Sequence, residues 1–207
     1  MTTKKLREAL VEKLTIKRPD DWHVHLREGA ILPDTCRDMS RYMGRAVVMP
    51  NLSEPVINRA LAEIYFHNIQ NAMTGLRRRF SPLMTLYLTD KTSKKDVEEA
   101  AESSLILGIK LYPAGATTNS NSGIVDIKAL FPIFETMELK NVPLMVHGEV
   151  TDFGIDPFDK EKIFIERYLE PLTLQFPELK ITLEHITTKD AVDFVLEASK
   201  NIASTIT

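Results

Sequence analysis

Short apolar runs of strand length alternate along this chain with longer segments of helical spacing. That alternation limits what the chain can fold into more than any other feature. The strand-like runs are Trp22–Leu26, Ala46–Met49, Leu83–Leu88, Gly108–Pro113, Val142–His147, Lys180–Ile186 and Asn201–Thr207. Between them, Leu32–Met43, Asn58–Arg79, Thr92–Leu107, Asp126–Leu139, Asp159–Gln175 and Thr188–Ser199 read as helices. Pro132 and Pro171 mark places where two of these should begin late or bend. Strict alternation of strand and helix implies a parallel sheet with helices outside. Two architectures satisfy that rule, an open doubly wound sheet and a closed (β/α)8 barrel. No G-x-G-x-x-G follows the first strand, and no G-x-x-x-x-G-K-[ST] occurs anywhere. The barrel is therefore the expected fold. A complete barrel takes ~250 residues, and this chain has 207. The expectation is one domain over residues 1–207, a TIM (β/α)8 barrel truncated within strand seven.

Composition narrows the setting. Apolar residues make up 43% and charged residues 27%, with a net charge of −3. These values suit a water-soluble globular chain and not one that coats nucleic acid. The single cysteine, Cys36, allows no internal disulfide, which points to a reducing, cytoplasmic setting. No apolar run reaches the ~18 residues of a membrane span. The opening Met1–Glu8 lacks the apolar stretch of a signal peptide. The segment 114–124, rich in Ala, Gly, Thr, Asn and Ser, reads as a mobile loop.

The five histidines are placed informatively. His23 and His25 form His-x-His on the first strand, where residues two apart share a face. His147 closes the fifth strand and His185 the sixth. His67 falls mid-helix beside Tyr65, Phe66 and Asn68 and reads as structural. Catalytic groups of an α/β barrel gather at the C-terminal ends of its strands. Four histidines on strands one, five and six thus look like ligands of metal ions inside the barrel. The plain alternative is that they are half-buried, hydrogen-bonded side chains. Lys110, between Ile109 and Leu111, is costly to bury with its charge. It could reach solvent, pair with a carboxylate such as Glu184, or stay neutral and take up carbon dioxide as a carbamate.

Five motifs carry a resemblance. They are Asp21-Trp-His-Val-His-Leu-Arg27, Val48-Met-Pro-Asn51, Lys110-Leu-Tyr-Pro-Ala-Gly-Ala-Thr-Thr-Asn-Ser120, Met145-Val-His-Gly-Glu149 and Leu183-Glu-His-Ile186. In this order they resemble dihydroorotase of the shorter bacterial type, in the amidohydrolase superfamily, over essentially the whole chain. The resemblance implies a metal-dependent hydrolase barrel with two zinc ions. His23 and His25 would hold the more buried zinc, and His147 and His185 the second. Lys110, carboxylated on its side-chain nitrogen, would bridge them. Arg27 and Asn51 would bind the substrate's carboxylate; the planar guanidinium suits that group, and Arg27, two residues after His25, is expected on the same strand face, pointing toward the metals. Thr117 and Thr118 would lie on a loop closing over the substrate. The implied reaction is reversible hydrolysis of the cyclic amide of (S)-dihydroorotate to N-carbamoyl-L-aspartate in pyrimidine (UMP) biosynthesis.

The same resemblance implies an aspartate at the end of strand eight that binds zinc and moves the proton. The sequence stops inside predicted strand seven, so Lys110 is the one catalytic group it supplies. A complementing C-terminal fragment, a truncated product and an incompletely given sequence all fit that ending. A homodimer is the assembly the resemblance suggests, with no nucleic acid and no membrane as partner. Gly115 stands where the family pattern suggests Asn. Two other readings stay open. One is a related cyclic-amide hydrolase such as an allantoinase or hydantoinase, whose substrates lack the carboxylate that Arg27 and Asn51 would serve. The other is a non-catalytic, partner-stabilising scaffold, which has no evident use for the four histidines and Lys110.

Overall fold

The computed structural model describes residues 14–206 of the chain, so the Met1–Glu8 reading lies outside the described residues. Seven parallel strands form one sheet in sequence order: β1 (Asp21–Val24), β2 (Arg45–Val48), β3 (Ser81–Tyr87), β4 (Ile106–Leu111), β5 (Leu144–His147), β6 (Ile181–Glu184) and β7 (Ile202–Ser204). Sequential order with every neighbour parallel is the order of a β/α barrel, and the sheet curls as part of one. Among the described residues β1 and β7 are its two edges. A cavity of about 710 Å3 lies between them, lined by Trp22 and His23 on one side and Ala203 and Ile206 on the other.

The helices are α1 (Leu32–Tyr42), α2 (Arg59–Ala72), α3 (Lys94–Glu102), α4 (Phe131–Lys140), α5 (Lys160–Phe164), α6 (Glu170–Gln175) and α7 (Lys189–Glu197). Their starts follow local chemistry. The Asn58 side chain accepts from Leu61 N and opens α2. Ser93 and Asp96 form a reciprocal capping box on α3. Thr188 accepts from Ala191 N on α7. Asn141 ends α4 in the left-handed conformation, φ 56°. Pro132 occupies the first turn of α4, where its missing N–H costs nothing, so that helix starts at Phe131 and not at Asp126. The predicted helix 159–175 is interrupted by a π-helical turn, Ile165–Leu169, and Pro171 falls in the first turn of α6.

Two apolar layers result. The larger packs the outward strand faces, including Val48, Leu86, Ile109, Val146 and Leu183, against the helices. The smaller, Val47, Met49 and Met145 with Leu83 and Leu107, faces the barrel interior. Strand alternation then dictates what lies one step further along inside. Met145 leads to His147 on β5, and Thr182 to Glu184 on β6. On β4 the phase is reset by a bulge. Met84 pairs with Ile106 but Thr85 with Gly108, so Leu107 is an extra residue. Leu107 and Lys110 can therefore both face inward although they differ by three positions. Without the bulge, Lys110 would share the outward face with the helix-packed residues.

Gly108 sits at this bulge because a side chain would not fit. A Cβ there would lie 2.7 Å from the Pro143 carbonyl oxygen, which accepts the Ile109 N–H at 2.9 Å. Gly108→Ala should therefore destabilise the chain by about 1–3 kcal/mol, the usual cost of overpacking. Denaturant unfolding measures it, and an unchanged midpoint would contradict this account of the bulge.

Candidate metal centre

The C-terminal ends of four strands carry the centre. His23 lies on β1, and His25 lies one residue past its end. Lys110 is the next-to-last residue of β4 and His147 the last of β5. His185 follows β6 directly and takes a left-handed conformation, φ 47°, that turns it back over the sheet end. The predicted first strand thus runs two residues past the observed end at Val24, yet its two histidines still face one another. His23 Nε2 and His25 Nε2 are 3.2 Å apart. His147 Nδ1 and His185 Nε2 are 3.1 Å apart. The pairs adjoin, with the His23 and His185 ring centroids 5.0 Å apart.

These separations bear on metal binding. Two imidazole nitrogens on one tetrahedral zinc, each at about 2.0–2.1 Å, stand about 3.3–3.4 Å apart. Both pairs are near that spacing. His147 Nε2 is buried without a hydrogen-bond partner. Among the described residues no three His, Cys, Asp or Glu side chains form a ligand set by themselves. Each histidine pair needs another donor, and Lys110 is the group between them. Its side chain is fully buried and contacts Glu184 Oε2, the pairing that sequence offered as the plain alternative. The residues present thus fit a metal centre of paired imidazoles, with Lys110 and its partner Glu184 buried beside the pairs.

Electrostatics favour neutral ligands. Burial, with the Lys110 charge adding to it, pushes His23 down to about 4 and His147 and His185 down to about 3. His25 falls to about 4 through burial and its neighbour His23. Imidazoles that refuse protons keep a lone pair free near neutral pH. Burial also holds the Lys110 amine well below the ordinary lysine range.

The substrate-site candidates fall around this centre unevenly. Arg27 is not on the strand face that sequence gave it. It lies three residues beyond β1 with φ 64°, and its carbonyl accepts the Tyr65 hydroxyl at 2.7 Å. The chain has already left the sheet there, so strand periodicity does not govern its direction. Asn51 is 2% exposed, just past β2, and its Nδ2 donates to the Thr118 carbonyl at 3.0 Å. Asn119 Nδ2 returns a bond to the Asn51 carbonyl at 3.1 Å. The loop bearing Thr117 and Thr118 is thereby fastened beside Asn51, while both threonine side chains stay exposed. His67 is exposed on α2, away from the centre, with Nδ1 2.6 Å from the Glu63 carbonyl.

Two groups escaped the motif reading as site residues. Glu184 was weighed only as an ion-pair partner for Lys110. Its signal is a carboxylate ending the apolar run Ile181-Thr-Leu-Glu184. Tyr112 is 1% exposed, its hydroxyl has no partner, and Lys110 Nζ lies 5.1 Å from its ring centroid. An aromatic in an apolar strand reads as core, so no sequence signal marks it.

Known proteins decide the relationship. No protein-family model matches the chain. A dihydroorotase from Shewanella sp. (strain ANA-3) is 57% identical over 194 residues, 94% of this chain and 56% of that protein. Over its matched residues the chain is similar to the N-terminal portion of dihydroorotases. It spans little more than half the length of the curated relatives it matches. The solved dihydroorotase of Campylobacter jejuni superposes with a TM-score of 0.82 at 41% identity, covering 92% of this chain and 54% of that one. Dihydroorotase from Saccharomyces cerevisiae, solved with 5-fluoroorotic acid, gives 0.80 at 33% identity, with 91% and 55% covered. The truncated-barrel fold is that of these relatives.

A pH dependence follows from the four histidines. In the unfolded chain they protonate near 6.5, whereas the folded, metal-free chain resists protonation until about 3 to 4. Between those limits the unfolded state binds more protons, so lowering the pH favours unfolding. Stability should fall as pH drops from 6.5 toward 4, with no slope from these groups above 7. Denaturation midpoints across that range measure it. An equal slope in the H147N/H185N variant would contradict it.

Proposed function

We propose that the protein carrying this chain is a zinc-dependent dihydroorotase. It would hydrolyse the cyclic amide of (S)-dihydroorotate to N-carbamoyl-L-aspartate and close that ring in the biosynthetic direction, in de novo pyrimidine synthesis. The observation that carries this reading is the meeting of two histidine pairs at a buried lysine on the C-terminal ends of β1, β4, β5 and β6. His23 and His25 would hold one zinc ion, and His147 and His185 the other. Lys110, carboxylated on Nζ, would help to hold both. Bound zinc would supply Lewis acidity toward the amide carbonyl and acidify a water molecule.

The chain's own residues have definite tasks in this scheme. Lys110 must be a free amine to add carbon dioxide, forming the carbamate N–C bond and releasing a proton. Its burial favours that neutral form. The histidines are held neutral and so present lone pairs. Arg27 and Asn51 would hold the substrate's carboxylate by charge-assisted hydrogen bonds. The guanidinium offers two parallel donors, and the buried Asn51 amide offers a third. Thr117 and Thr118, on the loop fastened at Asn51, would cover the bound substrate and exclude water.

The remaining readings follow the same line. Residues 1–207 are taken as part of a single amidohydrolase barrel domain. A homodimer, or pairing with a complementing C-terminal fragment, is the proposed assembly. A net charge of −3 is not that of a chain that coats nucleic acid, and no helix among the described residues is long and apolar enough to cross a membrane. The lone buried Cys36 suits the cytoplasm.

Steady-state kinetics test this reading on the intact protein. Dihydroorotate should be turned over and hydantoin, which lacks the carboxylate, should not. Arg27→Ala should raise KM for dihydroorotate at least about tenfold, the loss of a charged hydrogen bond worth about 1.5–3 kcal/mol. Turnover of hydantoin in preference to dihydroorotate would overturn it.

A further inference from the structure

Glu184 is 1% exposed at the end of β6, and it is not among the groups proposed to hold metal or substrate. Its two oxygens face different partners. Oε2 contacts Lys110 Nζ. Oε1 lies 3.0 Å from His23 Nδ1. That second pair is off the line of a hydrogen bond, and neither atom has another hydrogen-bond partner. The opposite nitrogen of the same ring, His23 Nε2, is the one directed at His25. The imidazole therefore stands between a carboxylate on one side and the candidate metal position on the other.

A neutral imidazole carries one proton, and which nitrogen holds it is set by what the other must do. A buried carboxylate is an acceptor only. Placed at Nδ1, it favours the tautomer with the proton on Nδ1 and a lone pair on Nε2. A metal-ligating histidine usually needs such a partner, because it fixes the ring and raises the basicity of the ligating nitrogen. A simple ion pair with Lys110 accounts for Oε2 and leaves Oε1 unexplained.

We propose that Glu184 is a positioning residue for the metal centre: it holds His23 through Nδ1, so that Nε2 is presented as the ligand. The proposal rests on the metal-centre reading above for its consequence, but not for the tautomer itself. Among the described residues, His25, His147 and His185 have no carboxylate at comparable range on a buried side; the contact of His147 Nε2 with Glu149 Oε1 is 3.8 Å and half-exposed. The effect of Glu184 should therefore concentrate on His23.

Two measurements on the 207-residue chain test this. Nitrogen NMR of the metal-free chain should show His23 with its proton on Nδ1, and Glu184→Gln should shift that signature toward a mixture. Zinc affinity, by competition with a chelator, should fall about 10- to 100-fold in both Glu184→Gln and Glu184→Ala. A His23 proton on Nε2 in the unsubstituted chain would overturn the proposal, even if neither variant folds. So would unchanged zinc affinity in folded variants. An Nδ1 proton in a chain that binds no zinc would sink the metal reading while leaving the orientation by Glu184 standing.

Discussion

Lys110 is fully buried on β4, and the groups around it are the ones that can accommodate an amine cut off from water. An isolated buried ammonium costs many kcal/mol, so such a group neutralises or finds a partner. The structure offers both routes. Glu184 contacts its nitrogen, and burial lowers its proton affinity. Removing one member of a buried pair generally costs about 3–5 kcal/mol, because the other charge is stranded. A hydrophobic residue at either position would be simpler to bury. At the end of the barrel where two histidine pairs meet, the proposed function gives such a lysine a chemical role, as a group that would join two metal sites.

That placement depends on backbone details of the sheet. The bulge at Leu107 brings Lys110 to the interior, and Gly108 makes the bulge possible by letting the Pro143 carbonyl approach. The left-handed turn at His185 returns its ring toward His147. Glu161, buried on α5, accepts hydrogen bonds from the Thr187 and Thr188 backbone and so braces the segment just after that turn. Parallel strands supply the common direction, and a few irregular residues convert it into convergence.

Much of this was legible in the sequence. The alternation of strand and helix gave the parallel sheet, because the apolar period changes visibly between segments such as Leu83–Leu88 and Asn58–Arg79. His-x-His and the strand-end histidines pointed to the candidate centre, since side chains at the C-terminal ends of barrel strands converge on one face. What stayed hidden was backbone geometry. The bulge on β4 left only Gly108 as a mark, which does not fix the register, and the π-helical turn at Ile165–Leu169 lies within an ordinary helical pattern. Arg27 was placed on a strand face because periodicity was extended past the true end of β1 at Val24. Glu184 looked like a counter-ion because a sequence does not show that its second oxygen faces His23.

The central claim is that the two histidine pairs and Lys110 form one metal centre. Zinc analysis of the purified chain, with and without bicarbonate, tests it most directly. The account predicts zinc retained by both histidine pairs, strengthened by bicarbonate and lost in Lys110→Ala. Zinc content that is the same in Lys110→Ala as in the unsubstituted chain, and indifferent to bicarbonate, would contradict it.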